Sequence, residues 1–247
     1  MILEIAANSV ASALAVQQGG ANRVELCTAL ELGGLTPSHA QIALARDHLR
    51  IPLYVLIRPR AGDFLYSDLE CETMQRDIEA CVALGCDGVV LGVLDADGAV
   101  DSVRCRPLIA AAGTLGVTFH RAFDLSRDPA QALEDIIALG CERVLTSGTQ
   151  ASAVDGAGLI RRLVELSAGR IAVMPGAGVN AENIANLLQD TGASEFHASA
   201  KRQHRSGMQW QPSSLADMQG GELRSDVDQI RAMVTALSAA IGGRSRP

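Results

Sequence analysis

The sequence predicts one α/β domain, a (β/α)8 barrel of the TIM type, from two repeated features of the chain. A glycine that ends a helical pattern stands just before a short strand four times, at Gly20, Gly85, Gly140 and Gly192. A second set of short strand patterns alternates with these four, so that eight strands and eight helical patterns follow one another along 247 residues. Such alternation is typical of a closed parallel barrel with its helices outside.

An open doubly wound sheet is the alternative, because it also alternates strands with helices. That fold usually carries a glycine-rich fingerprint after its first strand. Here the corresponding segment is Ala6–Ser9, which contains no glycine. The barrel is therefore the preferred interpretation.

The individual elements are assigned from hydrophobic periodicity and from their end signals. Strands are expected at 2–6, 20–26, 52–58, 85–91, 117–121, 140–146, 171–175 and 192–198. Helices are expected at 9–19, 37–49, 68–84, 103–112, 129–139, 156–168, 180–190 and 226–240. Residues 201–225 are interpreted as a long polar connection. The barrel domain is thus predicted to cover 1–241, and 242–247 to form a disordered tail.

Composition and charge argue against several classes of function. The net charge is −7 and no basic run inside the fold exceeds two residues, which argues against binding to nucleic acid or to anionic membranes. The first residues enter a strand pattern directly and no apolar run reaches transmembrane length, so a cytoplasmic protein is expected. Lys201 is the only lysine and lies in a predicted loop, which disfavours Schiff-base chemistry. Six cysteines without a C-x-x-C spacing are expected to be reduced thiols.

Polar side chains occur where a barrel lumen is ordinarily filled by Val, Ile and Leu. Successive residues of a strand point to opposite faces, so apolar neighbours that face the helices leave the polar residues facing inward. The inward set contains Glu4, Glu25, Cys27, Arg58, His120, Glu195 and His197. Further polar residues, Arg121, Asp124 and Ser147, follow the fifth and sixth strands. Because the carboxyl ends of the strands form the mouth of such a barrel, these residues indicate a polar site there.

Two interpretations of this set remain open. In the first, the glutamates Glu4, Glu25 and Glu195 pair with the cations Arg58, His120 and His197 in an internal network that serves stability alone. In the second, the mouth is a pocket for a small charged ligand or a metal ion. As an enzyme it would use Glu4, Glu25 and His120 as acid–base groups, and Arg58 and Arg60 would clamp an anion.

The loop after the seventh strand is a candidate phosphate site. Gly176 and Gly178 let the backbone approach an anion, and a helical pattern begins just after them. A tight turn in which Asn180 acts as an ordinary helix N-cap would have the same sequence. Both readings remain open.

Several long motifs resemble the CutC family, the copper homeostasis proteins. They are the segments 23–38, 57–67, 117–124, 145–148, 173–176 and 195–197, and the resemblance extends over about residues 2–210. It implies a TIM-type barrel, a cytoplasmic oligomer and a role in copper tolerance through Cu(I) binding. For this chain, the metal ligands it suggests are Cys27, His120 and His197.

The chain departs from the family pattern on its first strand. Family members often have a cysteine where this chain has Ala6, beside Cys27 on the neighbouring strand. Two thiolates there would suit soft Cu(I), and this chain offers one. A nearby arginine or protonated histidine is expected to lower the pKa of Cys27. Copper, or a divalent metal held by His120, His197 and a glutamate, is the expected cofactor.

Two classes of function therefore remain: a metal-binding homeostasis protein, and an enzyme acting on a small anionic metabolite, with or without a phosphate group. A homo-oligomer is expected as well. Apolar side chains in the segment 31–37, together with Met208 and Trp210, stand in otherwise polar loops, where such residues often face a partner.

Overall fold

Eight parallel strands form a nearly closed barrel, as predicted. The computed structural model describes residues 1–210, 214 and 220–244. The strands are β1 (Ile2–Ala7), β2 (Arg23–Leu26), β3 (Leu53–Leu56), β4 (Gly88–Leu91), β5 (Gly116–Phe119), β6 (Arg143–Thr146), β7 (Ala172–Pro175) and β8 (Glu195–Ala198). Each pairs with its neighbour in sequence from β1 to β7, and β1 also pairs with β8. β7 lies against β8, but within the described residues no hydrogen-bonded ladder joins them.

Helices connect successive strands and cover the outside of the barrel. They are α1 (Val10–Gly19), α2 (His39–His48), α3 (Asp68–Ala83), α4 (Ser102–Ala112), α5 (Pro129–Ala138), α6 (Ala157–Ser167), α7 (Ile184–Thr191) and α8 (Val227–Arg244). Short 3-10 helices follow β2 at Leu30–Leu32 and β5 at Arg121–Leu125. Ser38 and Ser67 start α2 and α3 with capping boxes, each closed by a Gln or Glu three residues later. The long helices bury one face against the strands, and this layer is the main hydrophobic core.

Two helix boundaries differ from the prediction by more than two residues. α7 begins at Ile184 rather than at 180, because the side chains of Asn180 and Asn183 hold the preceding turn. α8 continues to Arg244, so the first three residues of the predicted tail are helical. Residues 245–247, on which the rest of that prediction falls, lie outside the described residues.

The segment predicted as a polar connection contains secondary structure. β9 (Lys201–His204) and β10 (Glu222–Ser225) pair antiparallel. The pair is joined to the barrel because Ser225 donates its hydroxyl to the carbonyl of Ala6. Met208 and Trp210, between the two strands, are 69% and 77% exposed. The oligomer that these two residues suggest stays a prediction. Across the described residues, no helix combines the length and the apolar character that a bilayer crossing requires.

Candidate functional site

The middle of the barrel lumen is filled by a compact network of opposite charges. The guanidinium of Arg23 lies between two carboxylates: its Nε donates to Glu4, and its Nη2 lies 2.6 Å from Oε2 of Glu195. The same Glu195 oxygen accepts from Nε of Arg143 at 2.9 Å. All four side chains are nearly buried. The charges of this layer are therefore compensated within the protein.

The network extends toward the amino-terminal end of the barrel. Arg143 also contacts the hydroxyl of Thr118 at 3.0 Å and the carboxylate of Glu142. The ring of Tyr54 lies between the two arginines, 5.1 Å from Arg23 and 4.9 Å from Arg143, and its hydroxyl donates to Glu142. The lumen thus contains an internal charge network, and its two arginines are not among the cations proposed from the sequence. Of those three cations, His197 contacts the network, whereas Arg58 and His120 do not.

Sequence reasoning missed both arginines. Arg23 stands two residues before Glu25 on the same strand, and Arg143 two residues before Leu145, so alternation places each on the inward face. The alternation that predicts Glu4 and Glu195 to face inward therefore predicts the same for both arginines.

His197 joins this network to the mouth. Its Nδ1 lies 2.8 Å from Oε1 of Glu4 and 3.4 Å from Oε2 of Glu25. Burial tends to lower the pKa of His197, but the charge of Glu25 and the hydrogen bond to Glu4 outweigh it, so the pKa is raised. Burial tends to raise the pKa of Glu4, yet the hydrogen bond to His197 and the charge of Arg23 hold it well below its usual range. Glu4 is therefore ionised at neutral pH.

Glu25 titrates differently from Glu4. Burial, together with the negative charge of Glu4, raises the pKa of Glu25 to about 7, although the charge of His197 opposes the shift. Its Oε2 is buried and has no hydrogen-bond partner. Glu25 can therefore hold or release a proton near neutral pH, which is the property of a general acid or base.

A cavity of about 320 Å³ occupies the carboxyl-terminal mouth. Its walls are largely apolar, with Leu30, Leu56, Phe64, Leu125 and Leu145 among them. Its polar lining residues are Glu25, Cys27, Arg58, His120, Arg121, Asp124 and His197. Glu25 Oε2, Arg58 Nε and His120 Nε2 are buried there without a hydrogen-bond partner. A ligand or water in the cavity would supply partners for such atoms.

His120 enters this cavity as a neutral imidazole. Burial, with the charge of Arg58 as a smaller cause, lowers the pKa of His120 to about 3. Its Nδ1 accepts from the backbone N–H of Ala122 at 3.1 Å, so the ring proton is on Nε2. Gly92 makes room for the ring, because a Cβ there would lie 2.6 Å from Nδ1. The fixed tautomer leaves Nε2–H as a donor at the mouth.

Arg58 and Arg60, the predicted arginine clamp, bond to groups of their own loops. Arg58 reaches the cavity, where its two Nη atoms donate to the carbonyls of Leu32, Gly34 and Gly62 at 2.8–2.9 Å and its Nε has no hydrogen-bond partner. Arg60 contacts Glu70, Asp63 and the carbonyl of Leu65, and is not among the residues that line the cavity. A joint grip of the two arginines on one anion stays a prediction, and it would require Arg60 to leave these contacts.

Arg121, Asp124 and Ser147 form a polar cluster at the edge of the mouth. Asp124 accepts from the hydroxyl of Thr146 at 2.6 Å and from the N–H and hydroxyl of Ser147 at 3.0 Å. Arg121 donates to Asp124 at 2.8 Å and to the Ser147 hydroxyl at 2.9 Å. These contacts join the ends of β5 and β6. They hold the segment that carries His120.

The β7 loop has the geometry of a capped turn. The Oδ1 of Asn180 accepts from the N–H groups of Glu182 and Asn183, and the Oδ1 of Asn183 accepts from the N–H of Asn180. Three of the amides that a phosphate would use are therefore already bonded. Gly176 packs beneath Leu145, while Gly178, at φ +76°, borders a separate cleft of about 490 Å³ that also contains Lys201. The loop does not line the mouth cavity.

The predicted metal ligands are not brought together as a set. Among the described residues one group offers three donor atoms within 4.8 Å of one another, and it consists of Glu4, Glu25 and His197. Cys27 borders the cavity, but burial and the charge of Glu25 raise its pKa, so it is a thiol. The expectation of a lowered pKa at Cys27 is wrong, because burial dominates over the nearby cations.

Comparisons with known proteins agree with the architecture and the motifs. The model of the CutC family matches residues 1–202. A protein from Xanthomonas axonopodis pv. citri named family protein CutC is 57% identical over 240 residues, covering 97% of this chain and 100% of that protein. A human protein named copper homeostasis protein cutC homolog is 48% identical over 215 residues, covering 87% of this chain and 79% of that protein.

Solved structures give the same result for the fold. A CutC protein from Streptococcus agalactiae superposes with a TM-score of 0.78 at 34% identity, over 81% of this chain and 98% of that one. A thiamine phosphate pyrophosphorylase from Pyrococcus furiosus has a TM-score of 0.61 at 14% identity, over 98% of this chain and 97% of that one. The second likeness concerns the barrel alone.

Proposed function

The chain belongs to the CutC family, and from this premise we propose that its barrel mouth is the active site of an enzyme that moves a proton on a small carbonyl compound. The observation that carries the proposal is a pair of buried polar atoms, Glu25 Oε2 and His120 Nε2, which belong to residues lining one cavity and have no hydrogen-bond partner. Glu25 would be the base and His120 the hydrogen-bond donor to the carbonyl oxygen.

Glu25 suits the role of base because of its surroundings. A carboxyl group with a pKa of about 7 is both available as a base and strong enough to take a proton at neutral pH. His197, 3.4 Å away and held by Glu4, has a raised pKa, and its positive charge favours the ionised form of Glu25 that acts as the base. Glu4 thus acts through His197 and is a positioning residue rather than the acid–base group expected from the sequence.

His120 suits the role of electrophile because it is neutral. A neutral imidazole N–H stabilises an enolate oxygen without losing its own proton, and the low pKa keeps the ring neutral throughout the physiological range. The guanidinium of Arg58 stands in the same cavity and is fixed by three backbone carbonyls. Its charge would favour negative charge on the substrate oxygen without direct clamping.

The cavity also defines a substrate class. About 320 Å³ admits a small metabolite, and the leucines and Phe64 of its wall favour a compound with an apolar portion beside the carbonyl. The capped β7 loop lies outside this cavity, so a phosphate on the substrate is not required.

Copper at the mouth is the second candidate, since the human relative carries copper in its name. The donor set at the mouth fits Cu(I) poorly, because the sulfur that lines the cavity belongs to one protonated thiol, Cys27. Glu4, Glu25 and His197 would suit a borderline divalent ion better. Such an ion would have to replace the His197–Glu4 hydrogen bond and sit beside Arg23, which opposes a positive charge.

The test is hydrogen exchange on candidate substrates. The protein is incubated in D₂O with a panel of small aldehydes, ketones and 2-oxo acids, and loss of the α-proton signal is followed by NMR. We expect exchange with at least one compound, with a rate that rises with pH through about 7 as Glu25 ionises. Glu25→Gln should slow it by about 100-fold or more, and His120→Leu by a similar factor.

Glu182→Gln is the matched control, since Glu182 is exposed and lies away from the mouth. It should exchange at the parent rate. Absence of exchange across the panel, or exchange that survives Glu25→Gln, would overturn the proposal. Divalent metals are added in a parallel series, and strong thermal stabilisation by one of them would support the metal candidate instead.

A further inference from the structure

Three arginines of the described residues are almost completely buried, and one of them lacks a counter-ion. Arg23, Arg58 and Arg143 are 4%, 6% and 6% exposed. Arg23 and Arg143 contact the carboxylate of Glu195 at 2.6 and 2.9 Å. Arg58 pairs with no carboxylate in the part of the chain that the structure describes, and its two Nη atoms donate to backbone carbonyls, which are uncharged. A buried cation without a counter-ion is unfavourable, so a protein that keeps one has a use for its charge.

The carboxylates at the mouth are already matched with other cations. Asp124 pairs with Arg121 at 2.8 Å. Glu25 lies 3.4 Å from the imidazole of His197, whose charge opposes the rise in the pKa of Glu25. The positive charge of Arg58 is therefore not used by these two acids.

The two weak acids nearby are neutral. Burial raises the pKa of Tyr66 to about 12, although the charge of the neighbouring Arg58 opposes the shift. Burial, with the charge of Glu25 as a smaller cause, raises the pKa of Cys27 as well. Neither a phenolate nor a thiolate therefore compensates Arg58 at neutral pH, and the cavity keeps one unmatched positive charge.

Arg58 has one donor left for a ligand. It lines the cavity, and its Nε is buried without a hydrogen-bond partner. The bonds from its Nη atoms to the carbonyls of Leu32, Gly34 and Gly62 fix the guanidinium in place. One fixed N–H with a single positive charge suits one oxygen of a monoanion such as a carboxylate. A phosphate dianion would bring a second negative charge without a second unmatched cation.

Arg58 and His120 share a neighbour on the cavity wall. The Cζ of Arg58 lies 5.1 Å from the centre of the Phe64 ring, and the ring of His120 lies 4.8 Å from the same centre. Each side chain also keeps one buried N–H without a partner. Two such donors on one wall suit a ligand with two adjacent acceptor groups. In a 2-oxo acid the carboxylate is bonded directly to the carbonyl carbon, so its two acceptor groups are adjacent.

We propose that the mouth binds a monoanionic 2-oxo acid, with Arg58 on its carboxylate and His120 on its carbonyl oxygen. This inference deepens the proposed function and rests on it, because the place of the carbonyl at His120 is taken from there. The apolar side chains of the wall receive the remainder of the substrate. The site thus distinguishes a 2-oxo acid from an uncharged ketone of the same shape.

The experiment compares 4-methyl-2-oxopentanoate with its amide, in which an uncharged group of the same size replaces the carboxylate. Binding to the full chain at pH 7 is measured by ligand-observed NMR titration. The acid should bind about 10- to 100-fold more tightly than the amide, since a hydrogen bond to a charged group is lost with the carboxylate. Glu25→Gln should bind the acid at least as tightly as the parent, because it removes a negative charge from the cavity.

Arg58→Met should bind the acid and the amide equally. Arg60→Met is the matched control, since Arg60 does not line the cavity, and it should keep the parent preference for the acid. Arg58→Met also removes the bonds to three loop carbonyls, so its Tm is measured first. If this variant does not fold, the comparison of acid and amide in the parent decides.

Three results would overturn the inference: no preference of the parent for the acid, a preference that survives Arg58→Met, or displacement of the acid by an equal concentration of inorganic phosphate. The proposed enzyme fails by a different result. A preference for the acid without proton exchange would refute the role of Glu25 as a base and keep the carboxylate site. Equal exchange rates on the acid and on uncharged ketones would keep the enzyme and refute the carboxylate site.

Discussion

The middle of the barrel lumen and its mouth both contain buried charged and polar side chains, but the two regions differ in whether the polar atoms of these side chains have hydrogen-bond partners. In the middle, Glu4, Arg23, Glu195 and Arg143 each contact an opposite charge, and none has a polar atom buried without a partner. At the mouth, Glu25, His120 and Arg58 each keep one buried polar atom without a hydrogen-bond partner, although that atom of Glu25 lies 3.4 Å from His197. The two regions are successive layers of one lumen.

This difference distinguishes charged side chains that stabilise the fold, in the middle layer, from those that are available to a ligand, at the mouth. A buried ion that is paired and hydrogen-bonded contributes to a defined structure. A buried ion without such partners lowers the free energy of unfolding, and a protein retains it where another benefit, such as ligand binding, compensates the loss. Removing a member of the middle layer should therefore harm stability, and removing a member of the mouth should not. Three substitutions test this contrast.

Arg23→Met should have the largest effect. It leaves the carboxylates of Glu4 and Glu195 buried without their shared cation, and breaking a buried pair in this way costs about 3–5 kcal/mol of unfolding free energy. Urea denaturation at pH 7 measures it. Arg170→Met, which breaks an exposed pair with Glu134, is the control and should leave the midpoint unchanged. If Arg23→Met and Arg170→Met changed the free energy of unfolding equally, the middle layer would not have the special role in stability that we assign to it.

Glu25→Gln should have a smaller effect of opposite sign. The pKa of Glu25 is about 7 in the folded chain and near 4.5 in the unfolded one, so between these values the folded state holds a proton that the unfolded state has released. The free energy of unfolding therefore falls as pH rises across this window. Glutamine cannot ionise, so at pH 8 the variant should be more stable by up to about 3 kcal/mol.

The same comparison at pH 4 should give no stabilisation, because Glu25 is then protonated in both states. The raised pKa of His197 acts in the same direction: its stabilising contribution is present below its ordinary value and is lost as pH rises through the folded value. Denaturation curves from pH 4 to pH 8 measure the difference. Destabilisation by Glu25→Gln at pH 8 would place Glu25 in the structural network.

Arg60→Met should have the smallest effect. Its guanidinium contacts Glu70, Asp63 and the carbonyl of Leu65 outside the cavity. Proton exchange should match the parent, with at most a slight drop in Tm. A loss of exchange comparable to that of Glu25→Gln would mean that the loop rearranges around a substrate and that the original clamp is restored.

The barrel and the inward face of its strands were predictable because both follow from periodic patterns in the sequence. One is the alternation of strands with helices, and the other is the alternation of side chains along each strand. Eight alternations gave the topology, and parity placed Glu4, Glu25, His120 and His197 in the lumen. Partner choice was not predictable in the same way. Parity says that a side chain points inward but not which layer its charged end reaches, so Arg58 was assigned to glutamates that Arg23 and Arg143 satisfy.

Loops and helix ends were harder, for different reasons. The donors of Arg60 are taken by a turn whose shape no periodic pattern specifies. The end of α3 was within reach of the sequence, because Gly85 marks a Schellman end, and that motif joins the backbone of Cys81 to that of Cys86, five residues later.

The charged middle layer also determines when the barrel can complete its folding. Arg23 and Glu195 are separated by 172 residues along the chain, so their contact forms only after nearly all of it has been organised. Until β8 arrives beside β1, Arg143 and Arg23 lack the carboxylate that they share. Closing so long a loop is entropically slow, and unpaired ions keep water in the lumen until it happens. We therefore expect insertion of the last strand to be the step that expels water from the lumen and completes folding.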